Sequence, residues 1–152
     1  MGRVHAYRCR VEWSGTTGAG YERYDRAHDA TCPPARAGLR LSSDPAFRGD
    51  PALLNPEQLL LAAASSCQCL SFLAVAARAR IDVVAYADDA QAVMPEDDRP
   101  ARITRILLRP RIVVAGEVPD ERVLHLVEVA HRECYVANSL RSEIAIEPVV
   151  ER

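Results

Sequence analysis

The stretch NPEQLLLAAASSCQCLSFLAVAARA, from Asn55 to Ala79, constrains this chain more than any other. Asn55 can cap a helix, and Pro56 suits the first helical position because its missing N–H would be unpaired there. Glu57 falls in the first turn, where the helix end favours negative charge. Gln58 stands three residues after Asn55, where its side chain can return a hydrogen bond to the cap. The spacing predicts a helix to about Ala79. No polar face runs along it, so it needs cover on most of its sides. A chain of 152 residues can hardly surround such a helix by itself, which favours dimerisation.

Length alone does not separate this helix from a membrane span, which takes about 20 apolar residues. Ser65, Ser66, Gln68 and Ser71 interrupt it, and that polarity suits a helix packed in protein with no membrane partner. Hydrophobic residues make up 49% of the chain, enough for a core that needs no staples. The formal net charge is -2 and no Lys/Arg block occurs, which excludes a nucleic-acid footprint. Five cysteines, an odd number, with no signal-peptide pattern at Met1–Val4, predict free thiols in the cytoplasm.

Around the helix, residues 5–13 alternate and stop at Ser14-Gly15, which predicts a strand and a turn. Residues 20–26 predict a second strand and residues 37–41 a third, together an antiparallel sheet. Residues 81–93 and 101–114 predict longer strands, with Arg109-Pro110-Arg111 marking a bulge or edge. Pro119 opens a second helix carrying Val123, Leu124, Val127 and Ala130 at helical spacing. A short turn over residues 136–140 and a strand over 143–147, closed by Pro148, complete the chain. No repeat or linker divides it, so one α+β domain is expected over residues 1–152.

Cys67 and Cys69 lie about 200° apart on a helix, so they cannot bond to each other or easily grip one ion. That defeats a zinc site built from Cys67, Cys69, His131 and Cys134, whose donors would have to converge within about 2–2.3 Å of one point. His131, three residues before Cys134, lacks the orienting group and oxyanion donors of a Cys–His hydrolase. Cys9 and Cys32 have no partner at a telling spacing. Cys69 shares a small-residue face with Ala62, Ser66, Leu73 and Ala76, suited to packing. Cys67 shares its face with Leu60, Ala63, Ala64, Leu70, Ser71 and Ala74, and from the helix alone packing explains it as well. Cys134 follows His131 and Arg132, whose charge can lower a thiol pKa against the opposing Glu133. Two cysteines far apart in sequence can meet on folding, one attacking an electrophile and then condensing with the other. Packing and redox readings both stand at this point.

NPEQLLLAAASSC followed by AHRECYVANSL resembles the OsmC/Ohr family of thiol-dependent peroxide reductases. YERYDRAH, SSDPAFRGDP, YADDAQAVM and the closing IAIEP resemble its OsmC-like branch, and the similarity covers essentially the whole chain. The resemblance implies antiparallel sheets around a central buried helix, in an intertwined homodimer with two sites at the subunit interface. It implies that Cys67 attacks an organic hydroperoxide and that Cys134 resolves the sulfenic acid to a Cys67–Cys134 disulfide. Glu57 matches the glutamate that orients an activating arginine. An external dithiol resets the pair, and neither haem nor metal is used.

Where that arginine is expected, this chain has Gly18-Ala19-Gly20-Tyr21, or Ala46 before Phe47. Arg48, just after Phe47, is the expected replacement, with Arg23 as the alternative and Arg26 behind both. Cys67 stands about 18 Å beyond the helix cap, so the helix dipole helps it little and a cation has to support its thiolate. Glu57 stands about 15 Å away along the axis and serves the site only through a long arginine, a bent helix or the other subunit. Leu60, Phe72 or partner residues are expected to line the pocket for an alkyl tail. The competing function is a redox sensor or small-molecule binder that kept its thiols without peroxidase turnover.

Overall fold

The computed structural model describes residues 2–152. The chain divides into two compact units, Met1–Leu59 and Leu60–Arg152.

In the first unit, β1 (Arg10–Glu12), β2 (His28–Thr31) and β3 (Gly38–Leu41) form an antiparallel sheet in that order. The strand expected over residues 20–26 is absent, and these residues form turns instead. Their aromatic content serves a different purpose. Arg26 is buried, with its guanidinium 4.7 Å from the centre of the Tyr21 ring and 3.9 Å from that of Tyr24. It donates hydrogen bonds to the Tyr24 and Tyr21 carbonyls, 2.8 and 2.7 Å away. A desolvated cation needs such partners, and the segment wraps around it rather than extending. Trp13 ties the segment back by donating from Nε1 to the Asp25 carbonyl at 2.8 Å. After β3 the chain makes a 3-10 turn at Pro45–Phe47, capped by Asp44, and Arg48 leaves it with φ 63°. Gly49 follows because a Cβ there would lie 1.6 Å from the Ser43 carbonyl oxygen.

The helix α1 (Pro56–Arg78) starts as its sequence predicts. The Gln58 N–H donates to Asn55 Oδ1 at 2.8 Å, and the Asn55 N–H donates to Gln58 Oε1 at 3.0 Å. At the other end the Ile81 N–H donates to the Ala76 carbonyl and the Arg80 N–H to the Ala77 carbonyl, both at 3.0 Å. This is a Schellman ending with Arg80, at φ 58°, where glycine is usual. Within the second unit α1 buries Ala64, Gln68, Phe72, Val75 and Ala76, all on one side. Leu70 and Leu73 stay exposed, at 66% and 37%, so the chain covers less of the helix than its apolar circumference predicts.

Two three-stranded sheets complete the second unit. One is ordered β4 (Val83–Asp88), β7 (Pro110–Val114), β9 (Val149–Glu151); the other is β5 (Gln91–Val93), β6 (Arg105–Leu108), β8 (Glu143–Ile146). Each long strand read from sequence is therefore split, and β9 was not foreseen. The breaks share one line: Arg109 lies between β6 and β7, and Glu147-Pro148 between β8 and β9. Asp88 anchors this line, accepting the Arg109 N–H at 2.6 Å and the Ser65 hydroxyl of α1 at 2.5 Å. The sheets are mixed rather than antiparallel, since β6–β8 and β7–β9 run parallel. The crossover through α2 (Asp120–Glu133) returns the chain in the direction it left. Phe72, Val75 and Ala76 pack with Ile112, Val114, Val123, Val127 and Ala130, while Ala64 packs with Ile106 and Leu108.

Candidate active site

Cys67 sits midway along α1, and Cys134 is the C-cap of α2, its N–H donating to the His131 carbonyl at 3.2 Å. The chain then folds over Cys67 as a strap held by Asn138. The Asn138 side-chain amide donates to the Arg132 and Cys134 carbonyls, both at 3.0 Å, and its backbone N–H also reaches the Cys134 carbonyl. A 3-10 turn at Ala137–Ser139 tightens the strap, and the Ser139 hydroxyl donates to the Tyr135 carbonyl at 2.7 Å.

The strap aims donors at one sulfur. The Val136 N–H donates to Cys67 Sγ at 3.5 Å. Partial burial works against a Cys67 thiolate, but the Val136 N–H, the Cys134 thiol, the Tyr135 N–H and the Ser71 hydroxyl together hold the thiol below its ordinary value. Cys134 is the opposite case: burial, with the neighbouring Cys67 sulfur and its charge, pushes it up to about 11. The buried Cys134 therefore keeps its proton beside the Cys67 sulfur. Cys69, two residues along the helix, is also pushed up, by burial and then by the negative charge of Asp88.

This asymmetry has a measurable consequence. A depressed pKa keeps the thiolate populated at pH values where an ordinary thiol, near about 8.5, is protonated. The alkylation rate of Cys67 with iodoacetamide should therefore have its pH midpoint below that of an unperturbed cysteine measured alongside, whereas Cys134 should stay unreactive until the solution is strongly alkaline. Cys134→Ala removes one donor and should move the Cys67 midpoint upward. Mass-resolved alkylation across pH checks both, and a Cys134 that reacts first would contradict the arrangement.

Beside Cys67 opens a cavity of about 530 Å³. Its α1 wall is Leu70, Ser71, Ala74 and Arg78; Arg132, Glu133, Tyr135 and Asn138 supply the other side. The wall follows from helical arithmetic, since positions three, four, seven and eleven residues after Cys67 share its face. Arg78 was missed for want of carrying that count to the end of the helix. Asn138 carries only the weak signal of an amide four residues past a helix-end cysteine. Phe72, expected in the pocket, is fully buried in the core; five residues beyond Cys67, it points elsewhere. Leu60 packs beside Ala64, Ile106 and Leu108. Arg78 bonds Glu133 at 3.1 Å, an exposed pair.

The other sequence candidates lie in the first unit. Arg48 forms an ion pair with Glu22, Arg23 is exposed, and Glu57 is half-buried in the first turn of α1. Cys9 and Cys32, left without partners by the sequence, are close together.

Comparison with known proteins follows the same lines. Residues 49–149 match the family model described as OsmC-like protein. An OsmC-like protein of unknown function from Vibrio cholerae is 26% identical with a TM-score of 0.87, covering 96% of this chain and 100% of that one. An organic hydroperoxide resistance protein OsmC from Legionella pneumophila shares the fold at 16% identity, with a TM-score of 0.69 and coverage of 99% and 100%. So does the organic hydroperoxide resistance protein OhrB of Bacillus subtilis, at 17% identity and a TM-score of 0.61, with coverage of 97% and 98%. No curated protein matches the chain.

Proposed function

The chain belongs to the OsmC-like family, and on that premise we propose that it is a thiol-dependent peroxidase acting on organic hydroperoxides. The observation that carries this reading is the strap opened by Cys134, whose Val136 N–H donates to Cys67 Sγ at 3.5 Å. The Cys67 thiolate attacks the distal peroxide oxygen, and the O–O bond breaks. Sulfur keeps the hydroxyl as a sulfenic acid, while the alkoxide takes a proton from solvent and leaves as an alcohol. Cys134 sulfur then displaces that hydroxyl, which departs as water with the Cys134 proton, and a Cys67–Cys134 disulfide forms. An external dithiol reduces it.

Arg78 and Arg132, lining the same cavity, bring positive charge to the developing oxyanion. Leu70, Ala74 and Tyr135 offer an alkyl tail an apolar surface. Arg48, with Arg23 as its alternative, and Glu57 belong to the same proposal as residues completing the site in an intertwined homodimer. The exposed Leu70 and Leu73 on α1 favour such a dimer. Five free cysteines suit a reducing, cytoplasmic setting.

Steady-state assays with a dithiol as reductant test the function. The expected result is turnover of an alkyl hydroperoxide with kcat/KM at least about tenfold above that for hydrogen peroxide, the discrimination an apolar pocket gives a small alkyl group. Oxidation of one equivalent without turnover would replace the peroxidase with a redox sensor. No reaction with either peroxide, accompanied by thermal stabilisation with apolar ligands, would leave a binding protein.

A further inference from the structure

The sheet of the first unit carries a second pair of thiols. Residues of β1 and β2 pair as Arg10 with Thr31, Val11 with Ala30 and Glu12 with Asp29. One step outward along that register, Cys9 faces Cys32. Their sulfurs are 3.0 Å apart, with Cys32 donating to Cys9, and both side chains are exposed. Opposed residues on antiparallel strands hold their Cβ atoms about 4.5–5.5 Å apart, against about 3.5–4.5 Å in a disulfide. Forming the bond, about 2.05 Å long, therefore needs the sulfurs to close by roughly 1 Å. An edge strand can supply that movement, and β1 is an edge strand exposed along its whole length.

We propose that Cys9 and Cys32 are a second, solvent-facing dithiol–disulfide couple that exchanges with low-molecular-weight disulfides and staples the edge strand β1 to β2. Thiol–disulfide exchange needs a thiolate and in-line access, which an exposed pair offers. The donor set around Cys67 that would support peroxide cleavage has no counterpart in the contacts of this pair. The hydrogen bond to Cys9 pushes the Cys32 thiol up, so Cys32 holds its proton while Cys9 attacks. The Cys9 thiolate displaces one half of the small disulfide as a thiolate and forms a mixed disulfide with the other half. Cys32 then loses its proton, its sulfur attacks Cys9 sulfur, and the second small thiolate leaves. Two protein thiols are oxidised, one small disulfide is reduced to two thiols, and no peroxide is consumed.

The staple would close the segment between the two cysteines, which contains the Trp13 tie and the Arg26–tyrosine cluster. In the reduced state β1 can peel from the sheet edge; in the oxidised state it cannot. The couple thus makes the order of this segment depend on the thiol–disulfide balance around the protein.

The test uses the full chain carrying Cys67→Ser and Cys134→Ser, so that any bond formed is independent of the candidate active site. Equilibration in mixtures of oxidised and reduced glutathione, acid quenching, alkylation and peptide mapping then read the thiols. The expected product is a Cys9–Cys32 link within one chain, with Cys69 still alkylated. Proteolysis within residues 13–27 should slow on the order of tenfold upon oxidation. Adding Cys32→Ser should trap a glutathione adduct on Cys9. Adducts on both cysteines with no link, links only between chains, or proteolysis indifferent to the bond would each overturn the proposal. Should the doubly substituted chain fold poorly, mapping the wild type answers the same question, since a Cys9–Cys32 peptide differs in mass from a Cys67–Cys134 peptide.

Discussion

Cys67→Ser should abolish dithiol-dependent peroxide consumption, a loss of at least about a thousandfold, because a serine hydroxyl is not ionised at neutral pH and supplies no comparable nucleophile. The substitution is nearly isosteric and the side chain is half-buried, so the fold should survive and the loss should report chemistry. Cys134→Ser separates the second step. It should reduce one equivalent of peroxide and stop with a sulfenic acid on Cys67, since nothing remains to displace the hydroxyl. Wild-type protein given about one equivalent should contain a Cys67–Cys134 disulfide, which requires Cα atoms within about 7 Å. Cys69→Ser should retain both steps. Its thiol is held up by burial and Asp88, and it leaves the helix about 200° from Cys67. Intact mass and peptide mapping distinguish these products. A wild-type Cys69–Cys134 bond with Cys67 unmodified would overturn the assignment even if peroxide disappeared.

What the sequence made readable was local chemistry. The reciprocal bonds of Asn55 and Gln58 need only a four-residue pattern, and they occur as that pattern requires. Helical geometry likewise sent Cys67 and Cys69 different ways, which the structure expresses as opposite shifts of two neighbouring thiols. What escaped depended on partners distant in the chain. Residues 20–26 looked like a strand because aromatic residues favour strands, but the demand of one buried guanidinium outweighed that preference. Arg109 gave only a weak hint of a break, because its N–H finds the Asp88 carboxylate through folding alone. The partnership of Cys9 and Cys32 spans a long intervening segment and exists only once the register of β1 on β2 is known. The strap over Cys67 was visible as a motif but not as a set of donors, since backbone N–H groups have no letter of their own.

Phe72 shows the same division, and its removal should cause the largest loss of stability. On a helix with no polar face, nothing in the sequence separates an inward phenylalanine from one lining a pocket. In the structure Phe72 is fully buried, its ring 5.9 Å from that of Tyr86 and tilted by 36°. It joins α1 to β7 through Ile112 and Val114 and to α2 through Val123 and Val127. Phe72→Ala removes that transfer energy and leaves a cavity that the surrounding elements can only partly close, at a cost of about 3–5 kcal/mol. Part of this loss is the aromatic pairing with Tyr86. A folded chain of this size is typically stable by only about 5–15 kcal/mol, so the variant should lose a large fraction of its margin and melt roughly 10–20 °C lower. Phe72→Leu, which keeps most of the volume, should cost less than half as much. Urea titration of the three proteins at matched slope is the measurement, and a Phe72→Ala loss under about 1 kcal/mol would mean the side chain is not where the core is held. Below the melting transition the folded fraction should still form its disulfide with one equivalent of peroxide, because Phe72 supports the helix from the side away from Cys67.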